Sequence, residues 1–540
     1  MKRFLFILLI LFLFTGCSLF NLFGGGGGDE ASTTVEVQND GDVFLVKLNV
    51  SSKTVKGSDT GYVSGTYPRS AVSEAADYDT DRFIRDLNRN ANKALEDYLA
   101  DGSRSADRAA AKASGFREKD FKATEKFWSY VNKETKTDWR GNKYEVNIPD
   151  QIDAKNIFEG DHCLVYADTR LSDSLDNECN LIGQKFEQIY SKETGIIGDP
   201  LYYTYNSDFY VPCNQKIVIL VSDLFGDATP NQSSGTVGYF YNGDLYKQSF
   251  LDNNLNTGLN QTNPDYIHSN GCEIFYIDSQ FLKDETNKVY STLVHEFNHM
   301  INYVVKTLNH MTNETSAKAI STYTSDMWFT EMLSMTTEDM FQQELGLSDN
   351  DSPKARLPFF GMGYYYGFKN WDDDDIDSAF IYANTYAFGA FLARNFGGVE
   401  LIKEIAQNDY VNEEAITKAL QKLMPNVTYK DEKTGLTKKI DFTYALRKFT
   451  MCIVNTSKNS AYTLNKDTVF KNGLGFKAVD IKNTISYQGK TYTVPFTFKP
   501  NQDGQVDIYP YGFTVHYVGH NLSSFTFNAT NTSQLEYFVQ

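Results

Sequence analysis

The residues that stand out for their chemistry are His295, Glu296 and His299, in the run His295-Glu296-Phe297-Asn298-His299. Four residues return an α-helical side chain to the same face, so both imidazoles can point at one metal ion. Glu296 lies about 100° round such a helix, within reach of the water that a metal activates. The helix needs an apolar backing to hold that geometry. Val289, Leu293, Phe297, Met300, Val304 and Leu308 supply it, recurring at steps of three and four on the side away from the histidines. The string is short, and many proteins carry it without a metal. A second feature adds weight: Trp328 to Ser334 sets Glu331 on an otherwise apolar helix, where a carboxylate is costly to bury unless something neutralises it, as a metal would.

The elements that must position these residues follow from hydrophobic periodicity. Short strands are expected at Cys163 to Ala167, Lys216 to Val221, Thr236 to Tyr241 and Glu273 to Ile277, with a helix over Leu175 to Lys192 and the long HExxH helix opening near Asp284. Helices follow near Asp326 to Met340, Ala379 to Phe396, Glu400 to Gln407, Glu413 to Leu423 and Asp441 to Val454. This order predicts a mixed sheet followed by a mainly helical lobe. Alternating segments flank it, around Val43 to Val50 and again at Tyr492 to Phe498, Val506 to Tyr509, Phe513 to Val518 and Phe525 to Phe527. Between Ala75 and about Val131 the texture is helical, as in a linking segment or a pro-segment.

His295 to Met300 followed by Trp328 to Ser334, preceded by Gly238 to Tyr246 (GYFYNGDLY) and the strand Glu273 to Asp278, resembles the hyicolysin-type zinc metallopeptidases, zincins whose third ligand is a glutamate on a separate helix. The resemblance covers roughly residues 155 to 455. It implies an α+β fold with a zincin-type catalytic domain, zinc held by His295, His299 and Glu331, and Glu296 as general base. Glu314 and Glu338 stand as rival third ligands. Thermolysin-like relatives carry an Asp four residues after the ligand Glu, which holds a ligand histidine; Met335 occupies that position here, and Glu338 or Asp339 is the available replacement. Related enzymes also have a tyrosine a few dozen residues after the ligand Glu to assist the oxyanion. Tyr386 is the first candidate and Tyr382 the second, with core packing as the alternative for either.

Lys2 and Arg3, the apolar run Phe4 to Phe14, and Thr15-Gly16-Cys17 read as a secretory signal too short to span a bilayer. The segment resembles a bacterial lipoprotein signal, which implies a lipidated Cys17 and an extracytoplasmic protein anchored to a membrane; Gly24 to Gly28 then reads as a flexible tether. The expected division is a signal peptide at 1–16, a tether at 17–30, an N-terminal β module and helical segment at 31–150, the catalytic domain at 151–455 and a C-terminal β module at 456–540.

Over 540 residues, 51 Lys+Arg stand against 69 Asp+Glu, a net charge of −18 that excludes nucleic acid as a partner, since such binding draws on basic side chains. The five cysteines after Cys17 show no CxxC spacing, so buried thiols are expected rather than a cysteine zinc site, with room for one disulfide. Asp372 to Asp375 with Asp377 lack the alternating spacing of a calcium loop and read as a solvated turn. His162, His268, His310, His516 and His520 match no ligand spacing. The function expected is zinc-dependent endopeptidase action on proteins or peptides outside the cytoplasm. A zinc aminopeptidase and a non-catalytic surface adhesin are the alternatives; no GxMEN-like string, the amine-gripping motif of the former, precedes His295.

Overall fold

The computed structural model describes residues 31–36, 41–57, 80–100, 121–137, 143–171, 174–202, 209–210, 216–229, 235–261, 263, 265–308, 323–371, 376–431, 434–498, 506–522, 524–529 and 531–539. The expected signal segment, Cys17, the glycine run, Cys213, His310, Glu314 and Asp372 to Asp375 lie outside the described residues. The chain forms two compact units: Met1–Pro68 with Tyr429–Lys438 and Thr497–Gln540, and Arg69–Thr428 with Lys439–Phe496.

Strands β1 (Ala31–Glu36) and β2 (Asp42–Asn49) come first and belong to the smaller unit. The larger unit begins with α1 (Thr80–Ala100), then β3 (Thr124–Thr137), β4 (Lys143–Glu159), β5 (Cys163–Asp168), α2 (Asp176–Ile196), β6 (Ile217–Ser222), β7 (Gly238–Phe240), α3 (Gln248–Asn254), β8 (Ile274–Asp278), α4 (Ser279–Asp284) and α5 (Thr286–Asn302). Its six-stranded sheet has the order β3-β4-β5-β6-β8-β7. The inner strands β5, β6 and β8 run parallel, while β3, β4 and the edge strand β7 are antiparallel to their neighbours. Strand β6 is buried at every residue, as a strand covered on both faces must be. Val289, Leu293, Phe297, Met300, Val304 and Leu308 are all fully buried, and the Phe297 ring packs 4.8 Å from that of Phe186 on α2. Gly238 permits the close approach of β7 to its surroundings: a Cβ there would lie 2.6 Å from the Tyr276 carbonyl oxygen and 2.8 Å from Thr292 on α5.

The helical lobe follows: α6 (Met327–Leu345), α7 (Leu357–Gly363), α8 (Ser378–Phe396), α9 (Val399–Gln407), α10 (Asn412–Leu423) and α11 (Phe442–Phe449); between α10 and α11 in the chain, the hairpin of β9 (Thr428–Lys430) and β10 (Thr437–Lys439) falls almost wholly in the smaller unit. Helices α6 and α8 touch through Gly389, where a Cβ would fall 2.1 Å from Thr336 Oγ1. The hairpin of β11 (Asn483–Tyr487) and β12 (Lys490–Val494) completes the larger unit. The smaller unit closes with β13 (Phe513–His520), β14 (Ser524–Ala529) and β15 (Leu535–Val539). Strand β2 lies between β13 and β15, with Val46 opposite both Val515 and Phe538, and β1 pairs with β14.

The architecture is α+β, with four departures from the sequence expectations. The residues around Val131 are strand, not helix, because Phe127, Trp128, Tyr130 and Val131 favour a pleated surface and β4 offers a long antiparallel partner. The expected boundary at 150/151 falls inside β4. The first and last β segments share one sheet through β2, so they are not separate modules. The larger unit runs on to Phe496, past the boundary expected at 455/456. Cys163, Cys179, Cys272 and Cys452 are buried thiols that form no disulfide. Among the described residues, no helix is long and apolar enough to cross a membrane.

Candidate metal centre

Helix α5 carries His295 and His299 one turn apart, and their Nε2 atoms lie 2.9 Å from each other. Glu331 comes from the second turn of α6, with Oε1 3.3 Å from His299 Nε2 and Oε2 3.4 Å from His295 Nε2. The three donor atoms all lie within 4.8 Å of one another. Two donors held about 2.1 Å from one tetrahedral ion are themselves about 3.4 Å apart, so the set is spaced to close on a small cation. Glu331 Oε2 is buried, and no hydrogen bond among the described residues reaches it, which leaves a lone pair for a metal. Burial would raise the Glu331 carboxyl, but the His299 and His295 imidazoles beside it outweigh that and hold the group well below the usual carboxylate range.

The supporting contacts join α5 to α6. Glu338, seven residues after Glu331, places Oε1 2.6 Å from His295 Nδ1, while Ser291 Oγ donates to its Oε2 at 2.5 Å. A proton held on Nδ1 leaves the Nε2 lone pair facing Glu331 and His299. Glu338 thus meets His295 on the ring nitrogen turned away from Glu331 and His299, and stands outside the group those three form. Asn298 fixes the second helix-to-helix tie, donating to Thr337 Oγ1 at 3.0 Å and accepting from Ser334 Oγ at 3.2 Å. Burial pulls His295 down, yet Glu338 and Glu331 together carry it well above its ordinary value. Burial pushes Glu296 up to about 6, against the downward pull of both histidines. Behind the histidine, on α2, Glu193 is fully buried with neither oxygen hydrogen-bonded among the described residues, and burial holds its carboxyl far above the usual range. No pattern in the sequence singled that residue out.

His295, Glu296, His299 and Glu331 line one cavity of about 580 Å³. Gly238, Tyr239 and Phe240 of the edge strand form one wall, Trp371 and Tyr382 another, and Arg85, Asn88 and Asn92 of α1 a third. Tyr386 is not brought to this group. It is fully buried, and its hydroxyl donates to Asp339 Oδ2 at 2.9 Å, where Arg394 Nη1 also pairs at 2.8 Å. Tyr382 and Tyr386 share a helix face, but α8 runs inward along its length, and every residue from Ala383 to Arg394 is buried. The earlier tyrosine therefore reaches the cavity and the later one the core. The Tyr382 ring lies 4.8 Å from that of Trp371, with the Arg356 guanidinium 4.9 Å away.

This chain is similar to the neutral metalloprotease ShpI of Staphylococcus hyicus, at 28% identity over 218 residues. The match takes in 38% of this chain and 42% of that protein, so it spans less than half the length of either. No family model matches the chain.

Of the other histidines, His162 is bonded through Nδ1 to Glu187 at 2.7 Å, His268 stacks 3.4 Å from Trp128, and His516 is buried beside Thr514. His520 meets Asp42 at 2.9 Å on the surface of the smaller unit. The wall contributed by α1 went unread in the sequence, because an amphipathic helix more than 190 residues before the HExxH run carries no local sign of where it docks.

Proposed function

We propose that this protein is a zinc-dependent endopeptidase that hydrolyses peptide bonds of extracytoplasmic proteins or peptides. The observation that carries the reading is the convergence of His295, His299 and Glu331 beside Glu296 in a single cavity walled by the edge of a sheet. Two imidazoles and one carboxylate, with open space next to them, make a donor set suited to catalytic zinc rather than to a closed structural site. Zinc held there supplies Lewis acidity, polarising a peptide carbonyl and acidifying a water.

The protein's own groups do the rest. The Glu296 carboxylate takes a proton from the attacking water and delivers it to the nitrogen of the leaving amine. Glu338 keeps the His295 ring in one tautomer and orientation through Nδ1. Tyr382 is the hydroxyl on the cavity wall that assists the oxyanion, in place of Tyr386. The likeness to a neutral metalloprotease supports hydrolase chemistry at this site. In the same reading Cys17 carries a lipid anchor that holds the enzyme outside the cytoplasm at a bacterial membrane.

The test is metal analysis combined with casein cleavage by the full chain, with and without a chelator. The parent should hold about one zinc per chain and show chelator-sensitive cleavage. Glu296→Gln preserves size and all three ligands, so its zinc content should match the parent's while turnover falls by at least about a hundredfold. Cleavage at the parental rate by that variant would refute the mechanism. A parent that binds zinc but cleaves nothing would favour a non-catalytic surface protein.

A further inference from the structure

The edge strand β7 has outward-facing backbone groups, and the chain itself already fills one of them and the first one beyond the strand's end. Asp278 N–H donates to the Val237 carbonyl at 2.9 Å, and Tyr239 lies opposite Tyr276. In an antiparallel ladder the groups alternate in direction, so those of Gly238 and Phe240 point away from β8, towards any strand added at the edge. Asn88 on α1 occupies that side. Its Nδ2 donates to the Phe240 carbonyl at 3.1 Å, and its Oδ1 accepts from the Asn242 backbone N–H at 2.8 Å. A carboxamide with a donor and an acceptor side by side reproduces the hydrogen bonding of a peptide group. The Asn242 side chain holds the mimic in place, donating to Asn92 Oδ1 at 2.7 Å and to the Asn88 carbonyl at 3.3 Å.

Helix α1 also crosses the cavity. Eight residues after Asn88, about 12 Å along the axis, Glu96 Oε1 accepts from Thr324 Oγ1 at 2.6 Å, on the segment that leads into the Glu331 helix. Between these two tethers, Arg89, Asn92 and Lys93 line the same 580 Å³ space as His295, Glu296 and His299. The helix is therefore fastened to both lips of the cavity, to β7 on one side and to the approach to α6 on the other.

We propose that α1 is a built-in occupant of the peptide-docking edge, and that an extended polypeptide reaches β7 only when Asn88 lets go. The inference rests on the peptidase reading of the site for its biological sense, but not for its test. Strand addition at a sheet edge draws its affinity from main-chain hydrogen bonds, so a substrate and Asn88 compete for the same Phe240 and Asn242 groups. The folded chain is then latent towards polypeptides, and its apparent affinity is lowered by the fraction of time the helix is docked.

The experiment measures binding of fluorescein-labelled casein, an unfolded polypeptide, by anisotropy to the full chain in a Glu296→Gln background that prevents cleavage. Adding Asn88→Ala and Asn92→Ala should lower the apparent Kd about tenfold. Thr324→Val, which loosens the other tether and leaves the edge intact, should move it the same way by a smaller factor, and it serves alone if the triple variant fails to melt cooperatively. An unchanged or weaker Kd in every folded variant would overturn the proposal and leave Asn88 as ordinary packing. Failure of the peptidase reading shows elsewhere, as no chelator-sensitive cleavage by the parent, and it leaves this binding readout intact.

Discussion

Under the proposed metal site, Glu338 offers the sharpest separation of a ligand from the group that orients it. Its two oxygens are both engaged, Oε1 with His295 Nδ1 at 2.6 Å and Oε2 with Ser291 Oγ at 2.5 Å. A hydrogen bond to a charged acceptor is worth about 1.5–3 kcal/mol net, and a neutral one about 0.5–1.5 kcal/mol. Glu338→Gln keeps an acceptor and loses the charge, a difference of about 1–1.5 kcal/mol, or roughly tenfold in the metal dissociation constant. Glu338→Ala removes the acceptor as well and strands a buried N–H, so the loss grows to roughly a hundredfold, the upper end for such outer partners. Glu331→Gln removes a donor outright and should abolish stoichiometric binding. The assay is competition against a chromogenic chelator at fixed pH and salt, with thermal melts recorded alongside to confirm folding. The reasoning fails if Glu338→Ala binds metal like the parent, or if Glu338→Gln loses it as completely as Glu331→Gln does.

Three further outcomes are expected. Tyr386→Phe deletes a hydrogen bond to the buried Asp339 carboxylate, so urea unfolding should show a loss of about 1–3 kcal/mol while turnover per folded molecule stays at the parental level; a collapse of turnover in a stable protein would restore Tyr386 to the catalytic group. Arg394→Met leaves Asp339 without its closest cation, since Lys354 Nζ is 3.7 Å from the other carboxylate oxygen, and should destabilise the fold by about 3–5 kcal/mol; a shift below 1 kcal/mol in the urea midpoint analysis would show that the pair is dispensable. Cys17→Ala should move the protein from the detergent phase to the aqueous phase on phase separation, and identical partitioning of variant and parent would end the lipid-anchor proposal.

What could be read from the amino-acid sequence was what is local. His295 and His299 are four residues apart, so helix geometry alone places them together, and the apolar stripe behind them is a matter of counting. Glu331 needed a second helix to be recognised by its burial cost, and the structure brings its carboxylate to both imidazoles. Glu338 was legible only as a rival or a replacement, because the distinction depends on which ring nitrogen it meets. Tyr386 comes ahead of Tyr382 only through the resemblance, since spacing shows the face of a helix but not the depth at which each turn lies. Pairings between distant segments left no local trace. The Phe127 to Val131 aromatics read as helix until β4 supplied a partner, and nothing near Val46 announces that it will face Val515 and Phe538.

That last pairing sets an order of events on the ribosome. Strand β2 is central in its sheet, yet both neighbours lie within the last 28 residues of the chain, from Phe513 to Gln540. At a synthesis rate of about 5–20 residues per second, roughly 25–100 s pass between the making of Asn49 and of Val539. Throughout that interval an apolar strand, FLV followed by KLN, has neither hydrogen-bonding edge filled by its native partners. Such a strand is a template for the wrong chain. The smaller unit therefore closes last, and a nascent chain stalled or truncated anywhere before residue 513 would present β2 to whatever it meets, with aggregation and holdase capture rising steeply as the missing C-terminal length comes to include β13.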